Sequence, residues 1–213
     1  MPAYYVIAIT RTCGSGAMAV SKLLAEDLGL DIYDKNLLRL AADDSGINEA
    51  VFAQADEDMK KSLLFKVSQK IYNGELIPPE SNDYTSNQNL FNFQAKVLKE
   101  LTERESFICI GRAADYVLKD YPRLLRIFLY APLEDRVLRE RKRLGLELGE
   151  AVRYVQKTDQ YREEYYTYHT GSTWKNPQNY DLCMDTGSLG YIKCAKIIKS
   201  WLCLKKWIAS DKL

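Results

Sequence analysis

Histidine is nearly absent: His169 is the only one in 213 residues. A lone histidine with no evident serine or cysteine partner argues against a triad hydrolase, and the count excludes a histidine-rich metal site. Flanked by Tyr165, Tyr166, Tyr168 and Gly171, it is expected in a polar, aromatic surface loop. Cysteine is scarce as well. Cys13, Cys109, Cys183, Cys194 and Cys203 are odd in number and lack Cys-x-x-Cys spacing, so neither a zinc site nor a disulfide framework is expected, and the thiols read as buried or incidental.

Long apolar runs are missing too. The longest, residues 107–110 and 127–131, fall far short of the roughly 20 residues that span a bilayer. The first nine residues lack a basic n-region and read as a strand rather than a signal peptide, so a cytoplasmic protein is expected. An excess of either charge is also lacking: 30 Lys and Arg against 29 Asp and Glu give a net charge of +1, with no global attraction to nucleic acid or anionic membrane. What is present, 46% hydrophobic residues, suffices for one globular domain over residues 1–213.

The continuous apolar run at residues 4–10 suits a strand buried on both faces. A turn with Gly14 and Gly16 follows, and then a helix whose apolar face is Val20, Leu23, Leu24 and Leu28, stopped by Gly29. Further strands are expected at residues 31–33, 106–110, 125–130 and 180–184. Helices are expected at 37–43, over much of 48–71, at 91–104, from about 132 to 168, and from about 191. Residues 74–89, rich in Pro, Asn and Ser, are the most irregular stretch. In the last helix Ile192, Ala195, Ile198 and Leu202 form a core-facing stripe, with Lys193, Lys196, Lys199, Lys205 and Lys206 on its wet side. Trp201 and Trp207 are expected to cover the sheet or a subunit partner. Five strands alternating with helices predict a parallel sheet covered on both faces, with ligands at the strands' carboxyl ends.

The residues at those ends are 11–16, 34–35, 111–112, 131–134 and 185–187. A glycine-rich turn opening a helix offers backbone N–H groups to an anion, so Cys13-Gly14-Ser15-Gly16-Ala17 is a phosphate cradle by pattern. The full G-x-x-x-x-G-K-[ST] motif is not met: with Cys13 in the place of its first glycine, Met18 and Ala19 stand where its Gly-Lys would fall. Arg11 and Lys22 are the nearest cations in sequence to replace that lysine. Ten of the twelve arginines lie in residues 104–162. Guanidinium forks suit phosphate and the spread charge of a transferring phosphoryl group, and Arg112, directly after a buried strand and Gly111, is the strongest such candidate. Arg143 and Arg153, with Glu140, Glu147 and Glu150 at helical spacing, read as solvated pairs. Asp34, Asp115, Asp159 and Asp185 are each able to orient an acceptor or hold Mg²⁺ through water, and the sequence does not choose among them.

Several short motifs in order resemble the cytidylate kinase-like family of P-loop proteins. They are Ile9-Thr10-Arg11 with Gly14-Ser15-Gly16, Tyr33-Asp34-Lys35, Gln94, Gly111-Arg112-Ala113-Ala114-Asp115-Tyr116, Tyr130-Ala131-Pro132-Leu133-Glu134-Asp135-Arg136, Lys157-Thr158-Asp159-Gln160-Tyr161-Arg162, and Tyr180-Asp181 through Asp185-Thr186. The resemblance implies a three-layer α/β/α P-loop kinase-like fold with a five-stranded parallel sheet and a helical lid. It implies an acceptor-capping segment at about 36–100 and a lid segment at about 137–178. Arg11, Gly14, Ser15, Gly16, Ala17, Ser21 and Lys22 would face nucleotide phosphates, and Asp34, Lys35, Gln94, Arg112 and Asp159 the acceptor. Arg112, Arg136, Arg139, Lys157 and Arg162 would serve catalysis. The expected reaction moves the γ-phosphoryl group of ATP, with Mg²⁺, to a nucleoside monophosphate, CMP or dCMP favoured, in a monomer or homodimer that binds small nucleotides and neither nucleic acid nor membrane. The alternatives are a nucleotide- or phosphate-binding regulatory protein and a kinase for another small acceptor.

Overall fold

The computed structural model describes residues 3–34, 36–62 and 72–212. Five strands form its centre: β1 (Val6–Arg11), β2 (Asp31–Tyr33), β3 (Phe107–Ile110), β4 (Leu124–Tyr130) and β5 (Leu182–Asp185). They pair in the order β2-β3-β1-β4-β5. All four pairings are parallel, with Val6 opposite Phe107 on one side and Leu124 on the other. β1 is therefore central, and the chain leaves it for β2 and β3 on one flank before returning to β4 and β5 on the other. That reversal makes the carboxyl end of β1 the switch point of the sheet, where sheets of this kind bind ligands.

Because side chains alternate along a strand, the sheet feeds two cores. Val6, Ala8, Phe107, Cys109 and Phe128 face a layer containing α2 (Asn36–Ser45), α3 (Glu49–Ser62) and α4 (Asn87–Leu101). The short α5 (Ala114–Val117) and part of α7 (Leu148–Thr170) pack into the same layer. Ile7, Ile9, Ile108, Ile127 and Leu129 face α1 (Ala17–Leu28) and α9 (Tyr191–Leu204). The remaining helices, α6 (Leu133–Leu144) and the one-turn α8 (Thr186–Leu189), follow β4 and β5 at the carboxyl edge. The expected apolar faces hold: Val20 and Leu24 on α1, and Phe91, Ala95, Leu98 and Leu101 on α4, are buried.

Four expectations are corrected. His169 lies in the last turn of α7, not in a loop, and is fully buried. Its ring stacks on Phe91 at 3.9 Å between centroids, with Tyr165 and Tyr168 edge-on, because an aromatic run at helical spacing has α4 to bury against. The last strand starts at Leu182 rather than Tyr180. The Asp181 N–H already donates to the Arg126 carbonyl, and its carboxylate pairs with the Arg126 guanidinium at 2.9 Å. In α9, Ile192 is exposed while Lys199 is buried, its ammonium drawn inward by Asp27 of α1 at 2.6 Å. Finally, the helix expected over 91–104 runs from Asn87 to Leu101, since the Ser86 hydroxyl caps it by accepting from the Asn89 N–H. Trp207 stacks on Tyr5, and Trp201 packs edge-on against Trp207, so both cover the sheet. Cys13, Cys109 and Cys194 are buried, whereas Cys183 is exposed. Lys35 and the end of the helix expected over 48–71 lie outside the described residues.

Candidate functional site

The turn after β1 is a tight loop with its carbonyls turned toward arginines. Ser15 closes it by donating its N–H and hydroxyl to the Thr12 carbonyl, at 3.3 and 2.8 Å. Gly14 and Gly16 have φ of 75° and 79°. Glycine is required there for contact as well as conformation. A Cβ at Gly14 would lie 2.7 Å from the Arg136 carbonyl oxygen, and one at Gly16 2.2 Å from Cε1 of Tyr191. Ala17 opens α1 directly behind, so the first helical N–H groups are left for an external acceptor.

Three guanidiniums reach the loop from α6 and α7. Arg136 donates to the carbonyls of Ala131 at 2.9 Å and Cys13 at 3.1 Å. Arg139 donates to the Gly14 carbonyl at 3.2 Å and lies over the Tyr191 ring. Arg162 donates to the Arg11 carbonyl at 3.2 Å. The Thr186 hydroxyl ties the loop to the start of α8 by donating to the Ser15 carbonyl at 2.6 Å. Asp159 bridges loop and arginine, accepting from the Cys13 N–H and from Arg136, each at 2.6 Å.

A second cluster adjoins the ends of β2 and β3. Gly111, Arg112 and Ala113 take φ of 77°, 60° and 49° in succession. Two non-glycine residues in the left-handed region store strain, on the order of 1–3 kcal/mol each, of the kind found where a side chain must be aimed. The Arg11 guanidinium fills the space over Gly111, where a Cβ would stand 2.0 Å from its Nη1. Burial lowers the Arg11 pKa to about 9, the nearby Arg162 and Arg112 add to that, and Asp34 opposes it. Arg11, Arg112, Arg162 and Asp34 thus share one electrostatic neighbourhood. Deeper in, the Asp115 carboxylate accepts from the Tyr166 hydroxyl at 2.7 Å and from the Thr10 hydroxyl at 3.4 Å, and burial pushes its pKa up to about 6.

The other sequence candidates are spread around this edge. Lys22 and Lys157 are exposed. Ser21 is buried on the second turn of α1 and Gln94 on α4, and neither the Ser21 hydroxyl nor the Gln94 Oε1 has a hydrogen-bond partner among the described residues. Asp185 caps α8, accepting from the Gly187 N–H at 2.8 Å. The cations reaching the loop are therefore Arg136, Arg139 and Arg162, while Arg11 turns toward Gly111 and Lys22 toward solvent. Tyr191 and Tyr166 carry no sequence signal of their own, because each meets its partner only through the fold. Thr186 was signalled by its place at a strand's carboxyl end. No described helix is long and apolar enough to cross a membrane.

This geometry has counterparts among known proteins. Residues 6–188 match the model of the cytidylate kinase-like family. A cytidylate kinase of Methanopyrus kandleri is 26% identical over 196 residues, 92% of this chain and 91% of that one. Among solved structures, an uncharacterized protein from Eubacterium ventriosum superposes with a TM-score of 0.68 at 24% identity, covering 93% of this chain and 98% of the other. A shikimate kinase from Bacteroides thetaiotaomicron reaches 0.51 at 13% identity, with the same coverages of 93% and 98%, a likeness of fold alone. The match over most of its length, on a five-stranded parallel sheet with the glycine loop after its central strand, makes this chain a member of the cytidylate kinase-like family.

Proposed function

We propose that the protein is a phosphotransferase that moves the γ-phosphoryl group of ATP, with Mg²⁺, to a nucleoside monophosphate, CMP or dCMP being the favoured acceptor. The observation that carries this reading is the convergence of Arg136, Arg139 and Arg162 on the carbonyls of Arg11, Cys13 and Gly14. It supplies positive charge at a loop that lacks the usual lysine. Phosphoryl transfer requires positioning and neutralisation of spread charge more than covalent chemistry on the protein, and guanidiniums supply both.

In this reading the backbone N–H groups of Gly14, Gly16 and Ala17 hold donor phosphates, with Ser15 closing the turn that presents them. Arg112, aimed by the strained turn at residues 111–113, clamps the acceptor phosphate beside Asp34 and Gln94. Arg136, Arg139 and Arg162, with Lys157, neutralise the transferring group. The segment at about 137–178 acts as a lid and that at about 36–100 caps the acceptor. Mg²⁺ typically keeps several waters and binds through phosphate oxygens plus one or two carboxylates, a need that Asp34 fits as the acid beside Arg11. The protein works in the cytoplasm on small nucleotides, as a monomer or homodimer.

A second reading, a nucleotide- or phosphate-binding regulatory protein, draws on the absent lysine and on the Asp159 carboxylate already seated on the loop. ADP release from Mg²⁺-ATP, with CMP, dCMP, UMP and AMP offered separately against a control without acceptor, tests the two. Turnover with CMP or dCMP is expected. ATP binding without turnover on any acceptor favours the second reading.

A further inference from the structure

The Asp159 carboxylate occupies one N–H of the glycine loop and the guanidinium that reaches it. Its Oδ1 accepts from the Cys13 N–H at 2.6 Å and its Oδ2 from Arg136 Nη1 at 2.6 Å. Both side chains are largely shielded, 14% and 12% exposed, so water screens the pair weakly. The arginine is held in place by the Ala131 and Cys13 carbonyls, at 2.9 and 3.1 Å. One turn further along α7, Arg162 bonds the Arg11 carbonyl and pins the same helix to the same loop. A carboxylate offers an N–H donor and a guanidinium the same charge sign and oxygen geometry as one face of a phosphate.

We infer that Asp159 is an internal phosphate mimic: it holds the Cys13 N–H of the glycine loop and Arg136 while no polyphosphate is bound, and the donor's phosphates must displace it from both to bind. The inference rests on the loop's being a phosphate site. A ligand that must expel a resident anion binds with apparent affinity reduced by the fraction of molecules whose loop is open. Asp159 therefore sets how weakly the loop holds polyphosphate, in the direction opposite to a residue that contacts the nucleotide favourably. Removing its charge should tighten donor binding, whereas removing an acceptor contact would raise the acceptor KM and leave donor affinity alone.

The test is calorimetric titration of inorganic tripolyphosphate, and separately of Mg²⁺-ATP, into the full-length wild type, Asp159→Asn and Asp159→Ala, with thermal unfolding to verify that each is folded. Both variants are expected to bind tripolyphosphate about tenfold more tightly than wild type, the scale of losing one charge-assisted contact. Unchanged or weaker binding by folded variants overturns the inference while leaving the loop a phosphate site. Absence of binding to all three proteins overturns both. In the wild type itself, the ¹³C carboxyl resonance of Asp159 is expected to shift on adding tripolyphosphate, so the idea remains testable should the variants not fold. A resonance unmoved at saturation contradicts displacement.

Discussion

The guanidinium of Arg11 stands where a side chain at Gly111 would be, with its Nη1 only 2.0 Å from the Cβ position of that glycine. The two residues end neighbouring strands, β1 and β3, so the absence of one side chain gives the other its place. Gly111→Ala should therefore act on the site more than on the fold. The end of a flexible arginine can move aside, leaving chiefly the left-handed φ of 77° to cost about 1–2 kcal/mol. Thermal unfolding should show that modest loss, while the acceptor KM rises several-fold as Arg11 is displaced toward Arg112.

Ala113 provides the converse case. Its φ of 49° is strained for an alanine, and no side-chain contact of the proposed chemistry depends on it. Ala113→Gly relieves about 1–2 kcal/mol of strain but empties a buried methyl site and adds unfolded-state entropy, so stability is expected to stay within about 1 kcal/mol of wild type. Chemical denaturation checks this, and a loss of about 2 kcal/mol, the scale without strain relief, would mean that the strain reading is wrong.

Arg112→Ala is expected to raise the acceptor KM and lower turnover, together on the order of 10²-fold in kcat/KM. Donor affinity, measured separately, should change little. Unaltered acceptor kinetics would rule out the phosphate clamp.

Two buried groups give stability opposite dependences on pH. Burial lowers the His169 pKa to about 3 from an ordinary 6.5, so the folded state binds fewer protons than the unfolded chain and loses stability as pH falls below about 6.5 toward 3. Burial raises the Asp115 pKa from 3.8 to about 6, so the folded state binds more protons and stability declines as pH rises from about 4 through 6. Melting profiles of His169→Phe and Asp115→Asn across pH 4–8 should each lose one of these slopes. His169→Leu serves if phenylalanine overpacks the stack. Profiles parallel to wild type would show that neither group titrates as its burial demands.

Much of the architecture is legible in the sequence because it is local. The apolar strands, the stripe on α4 and the glycine turn are periodic or short-range features, and the parallel order places the strand ends together. What escapes is set by partners distant in the chain. His169 looks like a loop residue until α4 supplies Phe91 for its ring, and Lys199 looks wet until α1 supplies Asp27. The same holds at the site. Arg11 and Lys22 are nearest the missing lysine along the chain, yet the guanidiniums on the loop come from α6 and α7, and Tyr191 reaches Gly16 only because α9 packs beside α1. Left-handed backbone at Arg112 and Ala113 has no signature in composition at all.

In the proposed reaction guanidiniums, not a lysine, supply the positive charge of this loop. Arg139 tests it most directly, since it contacts the Gly14 carbonyl while lying outside the Arg136–Asp159 pair. The decisive measurement is turnover of Mg²⁺-ATP with CMP by wild type and Arg139→Ala, both verified as folded. A loss of about 10²–10³-fold is expected in the variant, the scale for removing one preorganised charge from a transferring group. Turnover by Arg139→Ala equal to wild type would contradict it.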